Sequence, residues 1–488
     1  KLQNLLNRLS KIKIFDPACG SGNFLIIAYK KLRELEMSIL KRIETLSRER
    51  TFVFSEIKLT QFYGIELDDF AHEVAMLSLW LAEHQMNLEF YKAFGRTSPS
   101  LPLHDGGRIV RGNATRIEWA EVCPKSEGDE IYVLGNPPYV GRRNQNKIQK
   151  EEISDILVQY KNFRSLDYIC IWFHKGANYI KNSNSKLAFV STNSICQGEL
   201  VGLFWPNIVD NQIEIFFAHQ SFKWQNNAKA NAGVTVVIIG LANISKNKKY
   251  LYNQNIKYQV ENINPYLTNG KNIFIKNSSK PISKLPKMSY GNMPGGCTEL
   301  FLTAQEKIDL EYKHPDLKPY VKKLQGSQES INGIEKYCLW FKNISIESDI
   351  LKVKEVADRL SIIKNNRASS KDSSYNILVD RPHQFRDLKE TTTNSILIPI
   401  VSSENRKYIP ISIVNHEVII PNSAQVIYDV EIWVFGIVSS LMHMTWMRTV
   451  AGKLEERYRY SKNVVYNTFP FPNISQKQKD EITELVWG

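Results

Sequence analysis

A short apolar strand that ends in a stiff polar loop offers the clearest chemistry in the sequence. The strand, residues 131–134, is followed by Gly135 and then by four loop residues: Asn136, Pro137, Pro138 and Tyr139. Neither proline has an N–H, so neither extends a sheet. The Asn136 side chain and the carbonyl of residue 137 are acceptors, and Tyr139 is an aromatic plane. These groups suit a planar ring that carries an NH2 group; the alternative is an ordinary proline-rich turn.

A second chemical site follows the first predicted strand, residues 11–15. That strand runs into a loop with small residues at Ala18, Gly20 and Gly22, and a long helical pattern begins behind it. A strand, a glycine-rich turn and a helix form the usual nucleotide-binding plan. Asp16 would repel a pyrophosphate but would hold a cationic amine. A zwitterion therefore fits this loop, and S-adenosylmethionine carries an amine and a carboxylate at its methionine end.

Two further strand ends supply polar groups that suit a nucleoside. Residues 62–65 form a predicted strand that ends at Glu66, and Leu67 follows it. A carboxylate there accepts hydrogen bonds from both ribose hydroxyls, and an apolar neighbour covers an adenine face; a solvated acid is the alternative. Asn113 follows a third predicted strand, residues 109–110. It either bonds the adenine edge or caps a turn.

Length, charge and cysteine usage bound the class of protein. The 488 residues suffice for two or three domains, and the net charge of +13 at pH 7 indicates a polyanionic partner such as nucleic acid. The six cysteines have no zinc-type spacing, which predicts reduced thiols and no metal site. No apolar stretch is long enough to span a membrane and no signal peptide is visible, so we expect a cytoplasmic protein.

Strand and helix patterns alternate through the first half and predict an α/β fold with a mostly parallel sheet. Composition shifts after Gly240, and a Pro-Gly-Gly run at residues 294–296 is typical of a boundary loop. We predict a catalytic domain over residues 1–285, a mixed α+β domain over 286–475 and a helical tail over 476–488. In the second domain, residues 310–324 have a helical pattern and residues 375–379 a strand pattern.

Basic side chains of the second half cluster with acids and aromatic residues. Major-groove readout needs this mixture, since Arg pairs with guanine, Glu with cytosine and Gln with adenine; a charged surface loop is the alternative. Together with two arginines after the proline-rich loop, the candidate DNA-contacting residues are Arg142, Arg143, Arg381, Arg386, Arg448, Glu455, Arg457, Arg459 and Lys462.

The motifs together resemble a known family. D-P-A-C-G-S-G-N-F, G-I-E-L-D, G-N-A and G-N-P-P-Y occur in the order found in γ-class methyltransferases, which methylate adenine N6 in DNA. More narrowly, F-Y-G-I-E-L-D-D-F-A-H-E-V-A, S-F-K-W-Q-N and R-Y-R-Y-S-K-N-V-V-Y-N-T-F-P-F-P are similar to the MmeI-like type IIL restriction–modification enzymes. The resemblance extends from about residue 11 to residue 472.

The resemblance implies a fold and a set of roles. It implies a Rossmann-like class I methyltransferase with S-adenosylmethionine as cofactor, followed by an α+β target-recognition domain that binds double-stranded DNA. The implied cofactor-binding residues are Asp16, Ala18, Gly20 and Gly22 for the methionine end, Glu66 for the ribose, and Leu67 and Asn113 for the adenine. Family members also carry a nuclease domain, which is absent from this sequence.

The same resemblance assigns the target base to the proline-rich loop. Asn136 and Pro137 would hold the target amine, while Tyr139 would stack on the base after it has been flipped out of the duplex. A second aromatic wall would come from Phe222 or Trp224, between which the sequence does not choose. Packing in the core is the alternative for both.

Three other functions stay open. Protein-glutamine methyltransferases share N-P-P-Y, but their chains are typically shorter and lack a large basic second domain. Cytosine N4 methylation uses the same geometry, although Asn136 in place of a serine disfavours it. A DNA-binding specificity module without turnover is the non-enzymatic alternative.

Overall fold

The computed structural model describes residues 1–47, 54–95, 107–210, 212–224 and 234–487. The chain divides into two compact units, Lys1–Phe274 and Ile275–Gly488. Unit 1 ends earlier than residue 285, the predicted limit of the first domain. Its last described segment returns to the large sheet, where Ile263 bridges to Ile215.

Unit 1 is built on one large sheet. Among the described residues its strands are β1 Lys13–Asp16, β2 Phe62–Glu66, β3 Arg108–Arg111, β4 Ile131–Gly135, β5 Lys186–Thr192, β6 Ile213–Trp224, β7 Val234–Asn243, β8 Lys249–Asn253 and β9 Ile256–Val260. Their order across the sheet is β3-β2-β1-β4-β5-β7-β6-β8-β9. The strands from β3 to β5 are parallel, β7 is antiparallel to both β5 and β6, and β8 is antiparallel to β9.

Helices cover the sheet of unit 1. They are α1 Leu2–Leu9, α2 Asn23–Ser47, α3 Asp69–Phe94, α4 Trp119–Val122, α5 Lys147–Leu157, α6 Cys170–Ile180 and α7 Gly198–Phe204. One core cluster includes Phe15, Trp119 and Phe173, and another includes Ile14, Tyr29 and Leu79. Adjacent β1 residues Ile14 and Phe15 thus belong to different clusters, as strand alternation requires of a sheet buried on both faces.

Unit 2 is a mixed α+β unit with three smaller sheets. Its strands are β10 Met288–Tyr290, β11 Phe301–Thr303, β12 Val321–Leu324, β13 Lys336–Leu339, β14 Ser395–Pro399, β15 Val401–Ser402, β16 Ser412–Val414, β17 Val418–Ile419, β18 Ala424–Ile427, β19 Gly452–Leu454 and β20 Arg457–Arg459. They pair in the orders β10-β18-β14-β16, β11-β13-β12-β17 and β15-β20-β19. Its helices are α8 Ala304–Lys313, α9 Ser327–Asn332, α10 Lys354–Ala368, α11 Ser373–Asn376, α12 Trp433–Val438, α13 Leu441–Val450 and α14 Gln476–Trp487.

The fold confirms the predicted class, an α/β sheet that is mostly parallel in its motif-bearing half followed by an α+β unit, but two predicted elements are wrong. The helix predicted over residues 310–324 ends at Lys313, continues as a 3-10 turn that contains Pro319, and finishes as β12. The strand predicted over residues 375–379 is a turn and the short helix α11, which the Asp372 carboxylate caps by accepting from the Ser374 N–H at 2.9 Å.

Two general features complete the fold. No described helix is both long and apolar enough to cross a membrane. All six cysteines are free and buried.

Candidate active site

The predicted chemical groups of unit 1 lie at one edge of its sheet. Asp16 ends β1, Glu66 ends β2, and Asn136 directly follows β4. These three strands are parallel neighbours, since Phe15 pairs in register with Tyr63 on one side and with Val133 on the other. Ligands of such sheets bind beyond the carboxyl ends of the strands.

Asp16 is buried and only half satisfied. Its side chain has no exposed surface, Oδ1 accepts from the Ala18 N–H at 3.0 Å, and Oδ2 has no partner among the described groups. Burial, helped by the negative charge of Glu66, raises its pKa to about 7. A cationic group placed at Oδ2 would satisfy the oxygen and favour the carboxylate.

The glycine-rich loop is tied to the end of β2. The Glu66 carboxylate accepts from the Gly20 N–H at 2.7 Å and from the Asp68 N–H at 2.9 Å. Gly20 and Gly22 have φ of +54° and +82°, which favour glycine. A Cβ on Gly22 would lie 3.3 Å from the Ala75 Cβ, so helix α3 packs closely on this loop. Each carboxylate oxygen of Glu66 keeps acceptor capacity for a further donor.

Asn136 presents an unused acceptor beside Asp16. Its Oδ1 is buried and has no hydrogen-bond partner among the described groups. Gly135, the residue before it, contacts the Asp16 carboxylate so closely that a Cβ there would lie 2.5 Å from Oδ1. The buried carboxyl of β1 therefore lies against the last residue of β4, directly before the proline-rich loop.

The rest of the proline-rich loop is partly enclosed. Pro137 is buried, Pro138 is exposed and Tyr139 is half-buried against the larger core cluster. Burial raises the pKa of Tyr139, so the ring stays a neutral phenol near pH 7. Behind it, the Val140 carbonyl accepts from the Tyr168 N–H at 3.0 Å. The loop is thus anchored on its far side.

Asn113 caps a turn, one of its two predicted alternatives. Its Oδ1 accepts from the Thr115 N–H at 2.9 Å and from the Thr115 hydroxyl at 2.8 Å, and its Nδ2 donates to Glu152 at 2.7 Å. One amide hydrogen is left over. A hydrogen bond from Asn113 to the cofactor adenine stays a prediction. The remaining amide hydrogen is the one that would make it. Leu67 is 66% exposed, as a residue that covers a ligand face would be before binding.

Phe222 and Trp224 lie near the end of β6, beyond the parallel part of the sheet. Both are half-buried and their ring centroids are 6.3 Å apart. Phe222 and Thr192, the last residue of β5, both pair with Val236 of β7. Both rings therefore lie toward the carboxyl edge of β5, and the choice between them stays a prediction.

Two acids that the sequence analysis overlooked support the same loops. Glu152 is buried on α5 and bonds both Asn113 and Tyr168. Asp167 accepts from the Ser194 hydroxyl at 2.9 Å, and burial raises its pKa. Their partners are distant in sequence, so no local motif marks them. The place of Asp167 directly before the apolar run 168–173 was a weak signal, whereas Glu152 lies among charged neighbours that give none.

The predicted DNA-contacting residues of unit 1 lie just after the proline-rich loop. Arg142 and Arg143 are both exposed. Arg142 donates to the Ser165 hydroxyl at 3.1 Å, and this hydrogen bond is exposed. Both therefore remain accessible to a phosphate.

In unit 2, a buried arginine organises the loop that carries two predicted contacts. Arg367 has no exposed surface and donates to backbone carbonyls, including those of Gly295 and Arg381 at 2.8 Å each. Arg381 is half-buried and donates to the Phe385 and Arg386 carbonyls at 3.3 and 3.2 Å, whereas the Arg386 side chain is exposed. Arg386 is the freer of the two for a ligand.

The remaining predicted contacts lie on or beside the β19–β20 hairpin and on α13. Arg457 and Arg459 are exposed on β20, and Glu455 pairs with Arg457 at 3.2 Å. Lys462 lies 5.5 Å from the Tyr290 ring centroid, and Arg448 donates to the Lys407 carbonyl. The hairpin is thus the most accessible concentration of predicted contacts in unit 2.

The site fits a zwitterionic nucleoside better than a metal. The described residues contain no group of three or more His, Cys, Asp or Glu side chains that could hold a metal ion. The buried, unpartnered Asp16 Oδ2 suits a cationic amine, and the Glu66 carboxylate at the next strand end suits hydroxyl donors. These two features match the two halves of S-adenosylmethionine.

Comparison with known proteins defines the class. Family models match two parts of the chain: "MmeI, DNA-methyltransferase domain" over residues 1–253 and "MmeI, target recognition domain" over residues 269–473. The first alone covers more than half of the chain. The chain therefore belongs to the MmeI family and contains its DNA-methyltransferase and target recognition domains.

Individual relatives agree with this assignment. "DNA methyltransferase A" of Bacillus subtilis (strain 168) is 50% identical over all of this chain, which spans 55% of that protein. The solved type IIL restriction-modification enzyme MmeI, in complex with DNA, is 37% identical with a TM-score of 0.88; the match covers all of this chain and 66% of that one. A restriction enzyme and methyltransferase of Methanocaldococcus jannaschii is 48% identical over 84 residues, 17% of this chain and 7% of that protein.

Proposed function

We propose that this chain binds double-stranded DNA and transfers a methyl group from S-adenosylmethionine to the N6 amine of a flipped-out adenine. The chain spans 55% of its Bacillus relative and 66% of the solved MmeI chain, so a nuclease in the full-length protein is a further part of the proposal. The solved relative is a complex with DNA, which supports DNA as the partner.

One observation carries the proposal: at the ends of the neighbouring strands β1 and β4, two buried acceptors have no partner among the described groups. They are Asp16 Oδ2 and Asn136 Oδ1. A buried acceptor left unpaired costs about 1–3 kcal/mol, so such a pair indicates ligands that donate hydrogen bonds. An ammonium group suits the carboxylate, and an exocyclic amine suits the amide carbonyl.

One set of residues would hold the methyl donor, and another would hold the target adenine. Asp16 and the glycine-rich loop would hold the methionine end of S-adenosylmethionine, and Glu66 would hold its ribose. When bound, the cofactor supplies a methyl group on a positively charged sulfur. Asn136 Oδ1 and the carbonyl of Pro137 would accept from the two N–H groups of adenine. That contact localises the nitrogen lone pair and aligns it for attack.

Tyr139 would stabilise the extruded base. Flipping a base out of the duplex costs a few kcal/mol, and stacking on an aromatic ring returns about 1–3 kcal/mol. The Tyr139 ring is half-buried and remains neutral, so it offers a face without charge. Phe222 or Trp224 would supply the opposite wall.

The first experiment measures transfer from tritiated S-adenosylmethionine to mixed-sequence duplex DNA. We expect label on adenine. The variant Asn136→Ala should bind DNA normally yet lose about 10²- to 10³-fold in turnover, since an acceptor aimed at the reacting nitrogen is gone. The matched control is Asn207→Ala, an exposed asparagine at the end of a 3-10 helix, which should keep full turnover.

Other outcomes identify the other functions. Label on cytosine would indicate cytosine N4 methylation in place of adenine methylation, and label on protein would indicate glutamine methylation. DNA binding without any label would leave a specificity module. Normal turnover by Asn136→Ala would contradict the assigned role of Asn136.

A further inference from the structure

A polar cluster is centred on the buried carboxylate of Glu152, which has no role in the function proposed above. We call it the Glu152 cluster, and its members are Asn113, Arg116, Glu152 and Tyr168. Glu152 lies on α5 and is 2% exposed. Its Oε1 accepts from Asn113 Nδ2 at 2.7 Å and lies 3.4 Å from Arg116 Nε, and its Oε2 accepts from the Tyr168 hydroxyl. Both oxygens are thus occupied by protein groups.

The cluster fixes which way the Asn113 amide faces. Asn113 Oδ1 accepts from Thr115 N–H and hydroxyl groups, and a carboxylate such as Glu152 offers only acceptors. Turning the amide over would set its oxygen against the carboxylate and its NH2 against the Thr115 N–H. Asn113 therefore has one free amide hydrogen and can only donate to a ligand.

The same cluster reaches the loops on either side. Tyr168 donates its N–H to the Val140 carbonyl, one residue beyond Tyr139, at 3.0 Å. Its ring lies 5.2 Å from that of Trp172, whose Nε1 donates to the Pro17 carbonyl at 3.4 Å. The turn that contains Asn113, the proline-rich loop and the glycine-rich loop are thus joined through Glu152, Tyr168 and Trp172.

We propose that Glu152 is a positioning residue for recognition of the cofactor adenine. It holds Asn113 as an obligate donor, so that the adenine is read through a ring nitrogen, which accepts, and not through its own amine. Glu152 does not touch the cofactor. This inference depends on the proposed function, because it takes the adenine of S-adenosylmethionine to lie at Asn113.

The test uses the whole chain and S-adenosylhomocysteine, with its 1-deaza, 3-deaza and 7-deaza adenine analogues, in calorimetric titrations. Each analogue lacks one ring nitrogen. In the unaltered chain we expect one analogue to bind at least 10-fold more weakly than S-adenosylhomocysteine itself. In Glu152→Ala that ratio should fall below threefold, because the Asn113 NH2 group then loses the acceptor that fixes the direction of its hydrogens.

Two further variants make the result specific. Glu151→Ala removes the neighbouring exposed acid, which pairs with Lys147 at 3.9 Å, and should keep the full ratio. Tyr168→Phe keeps the ring against Trp172 and removes only the hydroxyl donor. It should lower the ratio at least threefold, because the Glu152 carboxylate then loses the donor that holds it toward Asn113. It also answers the question if Glu152→Ala does not fold.

The outcomes separate this inference from the proposed function. If the unaltered chain binds S-adenosylhomocysteine but no deaza analogue is weakened, or if a folded Glu152→Ala or Tyr168→Phe keeps the full ratio, the positioning role is overturned. If the unaltered chain binds no S-adenosylhomocysteine, the proposed function fails and this inference fails with it. A purely structural role would lower thermal stability and leave the ratio unchanged.

Discussion

Asp16 is a carboxyl group that the fold holds away from water, and its titration affects stability. Its pKa is about 7 in the folded chain, against an ordinary value near 4 in the unfolded chain. Because the folded value is the higher one, the folded state binds the extra proton. Its contribution to stability is present below about pH 4 and is lost as pH rises through 7.

We therefore predict that the free energy of unfolding of Asp16→Asn rises relative to that of the unaltered chain between pH 5 and pH 8, so that the variant becomes relatively more stable. The amide keeps the shape and cannot ionise, so the variant escapes the cost of a buried charge. Chemical denaturation at each pH measures this difference. A difference that stays constant across that range would show that Asp16 does not titrate there.

Cofactor binding should also depend on the ionisation of Asp16. A cationic amine beside Asp16 favours the carboxylate and lowers its pKa, so binding releases a proton near neutral pH. Affinity for S-adenosylhomocysteine should rise about 10-fold from pH 6 to pH 8 in the unaltered chain. The Asp16→Asn variant should bind more weakly and without that rise, apart from the titration of the ligand's own amine. Calorimetry in buffers of different ionisation enthalpy counts the released proton.

At the scale of single residues, the sequence predicted the positions of those groups that lie in short local motifs. Asp16 and Asn136 follow strand ends inside short motifs, so their position at one sheet edge could be predicted from the parallel order alone. Glu152 could not, because its partners Asn113 and Tyr168 lie 39 and 16 residues away. The packing of α5 against α6 within the larger core cluster brings these three side chains together.

At the scale of elements, β4 must approach β1 without a side chain at its last residue. Gly135 pairs with Phe189 of β5, and a Cβ on it would lie 2.5 Å from Asp16 Oδ1 and 3.0 Å from Cγ. Asp16 is buried and short, so it has little room to withdraw. We predict that Gly135→Ala costs about 1–3 kcal/mol of stability and displaces the proline-rich loop. Methyl transfer should fall well beyond the loss of folded protein.

The control for that substitution lies six residues further on. A Cβ on Gly141 would meet only Asp167 Oδ1 at 3.7 Å, an ordinary contact. Gly141→Ala should therefore leave thermal unfolding and methyl transfer within twofold of the unaltered chain. Equal effects of the two substitutions would show that the close contact at Gly135 is not what positions the loop.

Elements whose boundaries depend on local signals were predictable, and those decided by packing were not. Apolar runs bounded by glycine or acids identified β1, β2 and β4. Residues 310–324 have helical periodicity, but Pro319 has no N–H to donate, and β12 instead pairs with β13 and β17. Residues 375–379 are apolar enough for a strand, yet α11 ends at Asn376 and the Leu378 carbonyl accepts from Arg367 at 3.0 Å. That buried guanidinium decides the path of the chain.

At the scale of the whole molecule, 63 Lys and Arg residues outnumber 50 Asp and Glu residues. This positive charge attracts DNA before any specific contact forms. Both units contribute exposed arginines: Arg143 of unit 1, and Arg457 and Arg459 of unit 2. Phosphate contacts release counterions, so the logarithm of DNA affinity should fall linearly with the logarithm of salt concentration. Base contacts add specificity but little salt dependence.

The slope of that line therefore distinguishes a phosphate contact from a base contact. If Arg143 neutralises one phosphate, Arg143→Ala should reduce the magnitude of the slope of log affinity against log salt concentration by about 1. It should also weaken binding to all sequences alike. If Arg457 reads a base, Arg457→Ala should relax specificity at one position of the site and leave non-specific affinity unchanged. Arg42, exposed on α2, is the control, since its loss removes the same charge from a position with no predicted contact. A slope change with Arg42→Ala equal to that with Arg143→Ala would mean that net charge, and not a contact, accounts for the effect.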